Sequence, residues 1–587
     1  MKIMKRISYN VKELSFENAK LHRNGEKLTI HLPYHGVYGM GEKYDSLNQK
    51  GKTAINQVRE KFCFQGDKTY CAAPFFWTDT GFGLYVDTCS ITTFQFLDNC
   101  IQVTLPETTD VVLFSGTPEQ IIREYMALFG PPVLPPEWTM GIWISANRWN
   151  CQKDVEETLA KLRKYDFPAD VMVLEAWSDE ATFYIWNGAK YAPVPDGKPL
   201  KYENFDFSGT PWPNPAQMIR NIHDDGLKLL LWQVPVYKKQ GDEEVQNTQN
   251  DLDRKDAALR KLCVTTPDGT PYTIPKGNWF PESMVPDFTN PQTLQSWFGK
   301  RQYLLDIGVD GFKTDGGEFI HADDARFYDG TTGKEGINRY ARDYTESYRN
   351  FVGSSGTIFS RAGFSGQHTV PCHWAGDQQS QNAELASVLK AGLSAAATGI
   401  IFWGFDLAGF AGPLPSLDLY RRATQMACFC PIMQWHSEPD GGQFRELMPG
   451  AEGNNERSPW NMEESYSAPG FMAEMRYWHK LHEKLRPYLW KTAQICVQSS
   501  KPFMRPLVYE WPNDENAINC EDEYLLGDDL LVAPLLQENA SAREVYLPEG
   551  TWKDFFDGTQ YTGGQRIIAG KDGKLPVFAR NGFELEL

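Results

Sequence analysis

The stretch GVDGFKTDGGE, residues 308–318, begins as a short apolar strand and ends in charge. Gly311 to Asp315 has the length of a buried strand, and the glycines behind Asp315 read as a turn leading into a helix. Seven further segments share this form: GIWI at 141–144, DVMVL at 170–174, KLLLWQV at 228–234, TIFSR at 357–361, HWAGD at 373–377, GIIFW at 399–403 and PIMQW at 431–435. Helical periodicity fills the intervals at DVEETLAKLRKY (154–165), PQTLQSWFGKRQYLLDIG (291–308) and NAELASVLKAGLSAAA (382–397). Strands alternating with helices imply a parallel sheet, and eight of them close a TIM barrel.

The expected architecture is multidomain, with a central (β/α)8 TIM barrel over residues 136–485. Ahead of it, residues 1–135 carry short alternating segments such as KLTIHLP, FFWTDTGFGLYVDT and IQVTLPE, the pattern of an N-terminal antiparallel β-sandwich. PPVLPPEW, residues 131–138, is a stiff linker because its prolines prevent regular pairing. The β pattern returns over 486–587 in FMRPLVYEW, AREVYLPEG and LPVFARNGFELEL, giving a C-terminal β-domain. Lys238 to Pro286 is polar and rich in turns, an excursion over the barrel mouth.

Composition narrows the classes of partner. With 58 basic against 76 acidic residues the net charge is −18, which disfavours nucleic acid and anionic membranes. Met1 to Lys20 holds no apolar run of a secretory signal, and the apolar stretches near Leu229 to Val236 fall far short of the roughly 20 residues of a membrane span. Eleven Cys, an odd number without metal-ligand spacing, argue against a disulfide framework or a structural metal and for a reducing cytoplasm. Cys428 and Cys430 are expected on a strand, sharing a buried face. The 18 Trp and 26 Tyr suit either a large core or surfaces that stack on flat ligands. Nothing sets the oligomeric state, so a homo-oligomer stays open.

A TIM barrel carries its chemistry at the C-terminal ends of its strands, and these ends are polar or aromatic. The fourth ends in Lys313 and Asp315, the fifth at Arg361, the sixth at Trp374 and Asp377; the seventh leads to Asp406 and the eighth to His436. Alternation puts Lys313 on the face of Asp315, where its ammonium would favour the ionised carboxylate. Trp374 is expected to desolvate Asp377 and raise its pKa, so that two carboxyls in unlike surroundings divide the work of acid and nucleophile. Glu175, Trp177 and Trp232 stand at the ends of the second and third strands. Core filling explains Trp143, Trp177 and Trp232 equally well, and Arg361 and His436 also read as buried partners of barrel carboxylates.

GVDGFKTDGGE and HWAGDQ (373–378) resemble the nucleophile and acid/base segments of glycoside hydrolase family 31, the retaining α-glucosidases and α-xylosidases. GVYGMGEK (36–43), MRPLVYEWPND, EYLLGDDLLVAP and REVYLPEGTW extend the likeness over nearly the whole chain. The resemblance implies Asp315 as nucleophile, Asp377 as acid/base, and Arg361, Trp374, Asp406 and His436 around the cleaved sugar. Carboxyls about 5–5.5 Å apart would make the reaction retaining, and about 6.5–9.5 Å inverting. Such chemistry needs no metal or organic cofactor, and the expected substrate is a short oligosaccharide or glycoside ending in α-linked glucose or xylose.

Three positions depart from the usual pattern. Glu175 stands where the family usually has Asp, Gln434 where many members have Arg, and Gly316-Gly317-Glu318 where a bulky residue commonly follows the nucleophile. SANRWN (145–150) leans toward α-glucosidases, whereas KTDGGE and ERSPWN (456–461) lean toward α-xylosidases. An α-galactosidase, a sulfoquinovosidase or a transglycosylase of the same family is the alternative, although WSDEATFYIW (177–186) holds no Arg to clamp a sulfonate. A sugar-binding protein without turnover is the remote one.

Overall fold

The structure, a computed structural model, describes residues 4–442 and 450–584; Met1 to Ile3 and the end of LPVFARNGFELEL, residues 585–587, lie outside the described residues. It divides into two compact units, Trp143–Gly363 and Met1–Ile142 with Phe364–Leu587. The eight expected barrel strands all form.

Five of them pair in chain order: β1 (Ile142–Ala146), β2 (Val171–Leu174), β3 (Lys228–Gln233), β4 (Gly311–Thr314) and β5 (Thr357–Ser360), each parallel to the next. Register places Trp232 opposite Lys313 and Lys313 opposite Phe359. Residues of β1, β2, β4 and β5 are buried throughout, which is why these strands read as continuous apolar runs. In the other unit β6 (Cys372–Trp374) pairs in parallel with β7 (Trp403–Gly404). A parallel bridge from Asp406 to Gln434 joins the end of β7 to β8 (Met433–Ser437).

The helices expected from periodicity at 154–165, 291–308 and 382–397 form over Gln152–Tyr165, Pro291–Asp306 and Asn382–Ala397. The last explains why β7 is shorter than GIIFW. Gly399, at φ +94°, lets Ile400 N–H reach Ala395 O and its own N–H reach Ala396 O, so this stretch closes the helix instead of opening the strand. β6 likewise stops before Asp377, because Gly376 at φ +67° turns the chain. Cys428 ends the helix Leu417–Cys428, which corrects the strand expected there, and both it and Cys430 are buried.

The excursion between Lys238 and Pro286 carries a helix of its own, Thr248–Leu259, started by the Asn247 side chain accepting from Asn250 N. Bridges Tyr237–Met284 and Cys263–Pro286 stitch its base. The N-terminal region is two antiparallel sheets of five and six strands, with Ile30, Phe76, Leu84, Phe94 and Leu113 in their common core. The helix Phe471–Ser499 runs through residues 485 and 486 into the C-terminal antiparallel sheets of six and two strands.

Candidate active site

Asp315 is the first residue beyond β4, where its backbone is fixed by Asp315 N–H donating to Gln233 O at 2.9 Å and by Tyr344 Oη donating to Asp315 O at 3.2 Å. Three groups hold its carboxylate. Trp232 Nε1–H donates to Oδ2 at 2.9 Å, Gly316 N–H donates to Oδ1 at 2.8 Å, and Arg361 Nε stands 3.3 Å from Oδ1. The glycines behind it are needed: Gly316 at φ +71° turns its N–H back to the carboxylate, and a Cβ there would fall 2.8 Å from the Phe319 ring.

Arg361 is almost fully buried and also grips Glu318, Nε to Oε1 and Nη2 to Oε2 both at 3.2 Å. Glu318 belongs to the charged strand end but its part in the site was not legible beforehand. Lys313 takes a different partner from the one expected. Its Nζ is 2.5 Å from Glu175 Oε1, a buried ion pair to which Ser145 Oγ donates at 3.3 Å, and the ion pair of Asp315 is with Arg361. Alternation does put Lys313 and Asp315 on one face; the carboxylate two strands away captures the longer side chain.

Trp177 is fully buried, packs on Trp186 at 5.0 Å and donates Nε1–H to Trp232 O at 3.0 Å, so it fills core and steadies Trp232. Trp232, half-buried, holds Asp315. Beyond it the excursion supplies an aromatic wall unforeseen from sequence: Trp279 lies 6.2 Å from Trp232 and 6.0 Å from Phe319, Phe280 packs tilted against it at 4.8 Å, and Arg361 lies over the Trp279 ring at 5.4 Å. Trp143 is core, against Phe359 at 4.7 Å.

In the unit containing Phe364–Leu587, Asp377 is half-buried three residues past β6, and Trp374 at the strand end is 1% exposed. Residues 42–70, distant in sequence, hold this turn. Gln65 Nε2–H donates to Asp377 O at 2.6 Å, the Tyr70 ring covers Gly376 so closely that a Cβ would fall 2.3 Å from it, and Tyr44 Oη is 2.7 Å from Ala375 O. Asp406, 1% exposed, accepts from Gln434 Nε2 at 2.5 Å, while its Oδ2 and the Gln434 Oε1 are buried acceptors that no donor among the described residues satisfies. A donor from outside the protein, such as a sugar hydroxyl, matches them.

His436 is fully buried with Nε2 2.7 Å from Glu438 Oε1 and its ring 5.0 Å from Phe410, which in turn meets Phe62 at 6.3 Å. Glu438 fixes the imidazole in place, a partner no motif revealed. The Arg of ERSPWN, Arg457, is structural: wholly buried, it donates to Gly412 O at 3.2 Å and Asn455 Oδ1 at 3.1 Å, and burial pushes its pKa down to about 10 despite Glu438 and Asp406 nearby.

Residues 132–492 match the TIM-barrel domain of glycosyl hydrolases family 31, residues 500–583 its C-terminal domain, and residues 10–95 its N-terminal galactose mutarotase-like domain. The chain is 34% identical to an isomaltosyltransferase of Sporosarcina globispora, over 93% of this chain and 50% of that protein, and so spans about half of its length. It is 35% identical to a 1,3-alpha-isomaltosidase of Kribbella flavida, over 90% of this chain and 73% of that one. The structure of a cycloalternan-degrading enzyme from Trueperella pyogenes in complex with isomaltose superposes with TM-score 0.90 at 33% identity, covering 98% of this chain and 84% of that chain. With the barrel match spanning more than half of the sequence, the chain belongs to glycoside hydrolase family 31.

Proposed function

We propose that this protein is a retaining α-glycosidase acting on oligosaccharides whose terminal unit is an α-linked isomaltosyl or glucosyl group, with Asp315 as nucleophile and Asp377 as acid/base. The observation that carries the reading is the Asp315 carboxylate at the end of β4, aimed by the Trp232 indole N–H, the Gly316 N–H and the Arg361 guanidinium. In the first step an Asp315 oxygen attacks the anomeric carbon as the glycosidic bond breaks, and the Asp377 proton passes to the departing oxygen. In the second, Asp377 takes a proton from the incoming hydroxyl, which displaces Asp315 and restores the α configuration.

The isomaltosyl preference is supported by the relatives named above; the α-xyloside reading rests on KTDGGE and ERSPWN, whose Lys313 and Arg457 are engaged by Glu175 and by Gly412 O and Asn455. Transfer to a sugar hydroxyl instead of water is the second reading, favoured by the likeness to the isomaltosyltransferase. Incubation with an α-1,3-linked isomaltosyl saccharide beside p-nitrophenyl α-glucoside and α-xyloside tests the assignment. Isomaltose, free or transferred, is expected as the main product; dominant release of xylose would overturn the substrate, and no turnover of any of the three would overturn the activity.

A further inference from the structure

Glu42, which follows the N-terminal strand Val37–Gly41, is 2% exposed and makes contacts that only one protonation state completes. Trp403 Nε1–H donates to its Oε1 at 2.7 Å. Its Oε2 lies 2.8 Å from Tyr44 Oη, and the same Tyr44 Oη lies 2.7 Å from Ala375 O. A phenol has one proton and a carbonyl has none. If Glu42 were ionised, Tyr44 could satisfy only one of its two oxygen neighbours, leaving a buried acceptor pair in repulsive contact. If Glu42 is the neutral acid, Glu42 donates to Tyr44 and Tyr44 donates to Ala375 O, and the chain of three oxygens closes.

The surroundings agree. Burial pushes the Glu42 pKa up to about 7, against the Trp403 and Tyr44 contacts that lower it. The other titratable groups facing it are Tyr44 and, across Glu42 N–H to Cys71 O at 2.8 Å, Cys71, both pushed well above their ordinary values by burial. Lys43, next in sequence, sends its ammonium to Asp67 O at 3.2 Å. Near neutral pH Glu42 therefore titrates with Tyr44 and Cys71 uncharged.

The far end of the chain is the turn that carries Asp377. Ala375 O accepts from Gln378 Nε2 at 2.6 Å as well as facing Tyr44, and Tyr70, edge-on to Tyr44 at 6.3 Å, caps Gly376. The strand beneath is pinned by Ser394 Oγ donating to Gly41 O at 2.8 Å and by Gly41 N–H donating to Thr398 Oγ1 at 3.0 Å. We propose that Glu42, as the neutral acid, is a positioning residue that acts through Tyr44 to set the Ala375–Asp377 turn and hence the aim of the acid/base carboxyl. This rests on the acid/base reading of Asp377.

The test compares E42A, E42Q and Y44F with D377A, using phenyl and p-nitrophenyl glycosides of the accepted sugar across neutral pH. Because protonation matters more for the poorer leaving group, E42A and Y44F should lose about tenfold or more in kcat on the phenyl glycoside, less on the nitrophenyl one, with little change in KM. Glutamine keeps one acceptor for Trp403 and a donor for Tyr44, so E42Q should rescue most of that loss and hold its kcat better than the wild type above neutral pH. Melting curves show whether each variant folds. E42Q as impaired as folded E42A, or a leaving-group dependence unchanged in folded E42A and Y44F, would overturn the proposal. Absence of a steeper leaving-group dependence in D377A would instead strike the acid/base reading itself.

Discussion

Arg361 reaches Asp315 at 3.3 Å and Glu318 at 3.2 Å with one buried guanidinium, so a single cation from the end of β5 holds two carboxylates from the end of β4. Removing it takes that guanidinium from both carboxylates. Arg361→Ala is expected to cost on the order of 3–5 kcal/mol of stability, as for other broken buried pairs, and about 100-fold or more in kcat/KM. Arg361→Lys keeps the charge but loses the fork, and should recover stability more than activity. Steady-state kinetics with thermal melts check both; wild-type kcat/KM in either variant would detach Arg361 from the reaction.

Trp279 is partly buried in the excursion and leans on Trp232 and Arg361, both of which touch Asp315. Trp279→Ala should raise KM for oligosaccharides by roughly tenfold through loss of ring stacking, equivalent to about 1.4 kcal/mol. Its fold should persist, because the ring sits in the excursion and not in a barrel strand. An unchanged KM would make the wall a packing feature only.

How far the sequence reveals such relationships depends on their range. The barrel strands and the three helices were legible because apolar runs and helical periodicity are local, down to the bounds of Asn382–Ala397. Asp315 and Arg361 stood out as charge at apolar strand ends. Which cation meets which carboxylate was not legible: Lys313 shares a face with Asp315 but pairs with Glu175, 138 positions away. The same holds for the Gln65 contact to Asp377, made across 312 positions. Trp279 was hidden for another reason, since a polar, turn-rich segment carries no period to say which of its aromatics faces inward.

Buried histidines predict the acid limb of stability. His479 donates Nδ1–H to Met475 O at 2.7 Å and His368 lies 3.0 Å from Gly130 O; burial pushes each pKa down to about 4 from an ordinary 6.5. The unfolded chain binds the extra protons first, so stability is lost as pH falls from 6.5 toward 4, by on the order of 3 kcal/mol per histidine. Melting temperature should fall across that window, and His479→Gln, compared with its own value near neutral pH, should fall less steeply. Equal slopes in the variant and the wild type would refute this contribution.

The nucleophile assignment is tested most directly by trapping the glycosyl-enzyme with a fluorinated α-glycosyl fluoride and mapping the labelled peptide by mass spectrometry. The ester is expected on Asp315, within GVDGFKTDGGE, with inactivation keeping pace with labelling. A label on any other carboxylate, at full inactivation, would contradict the account.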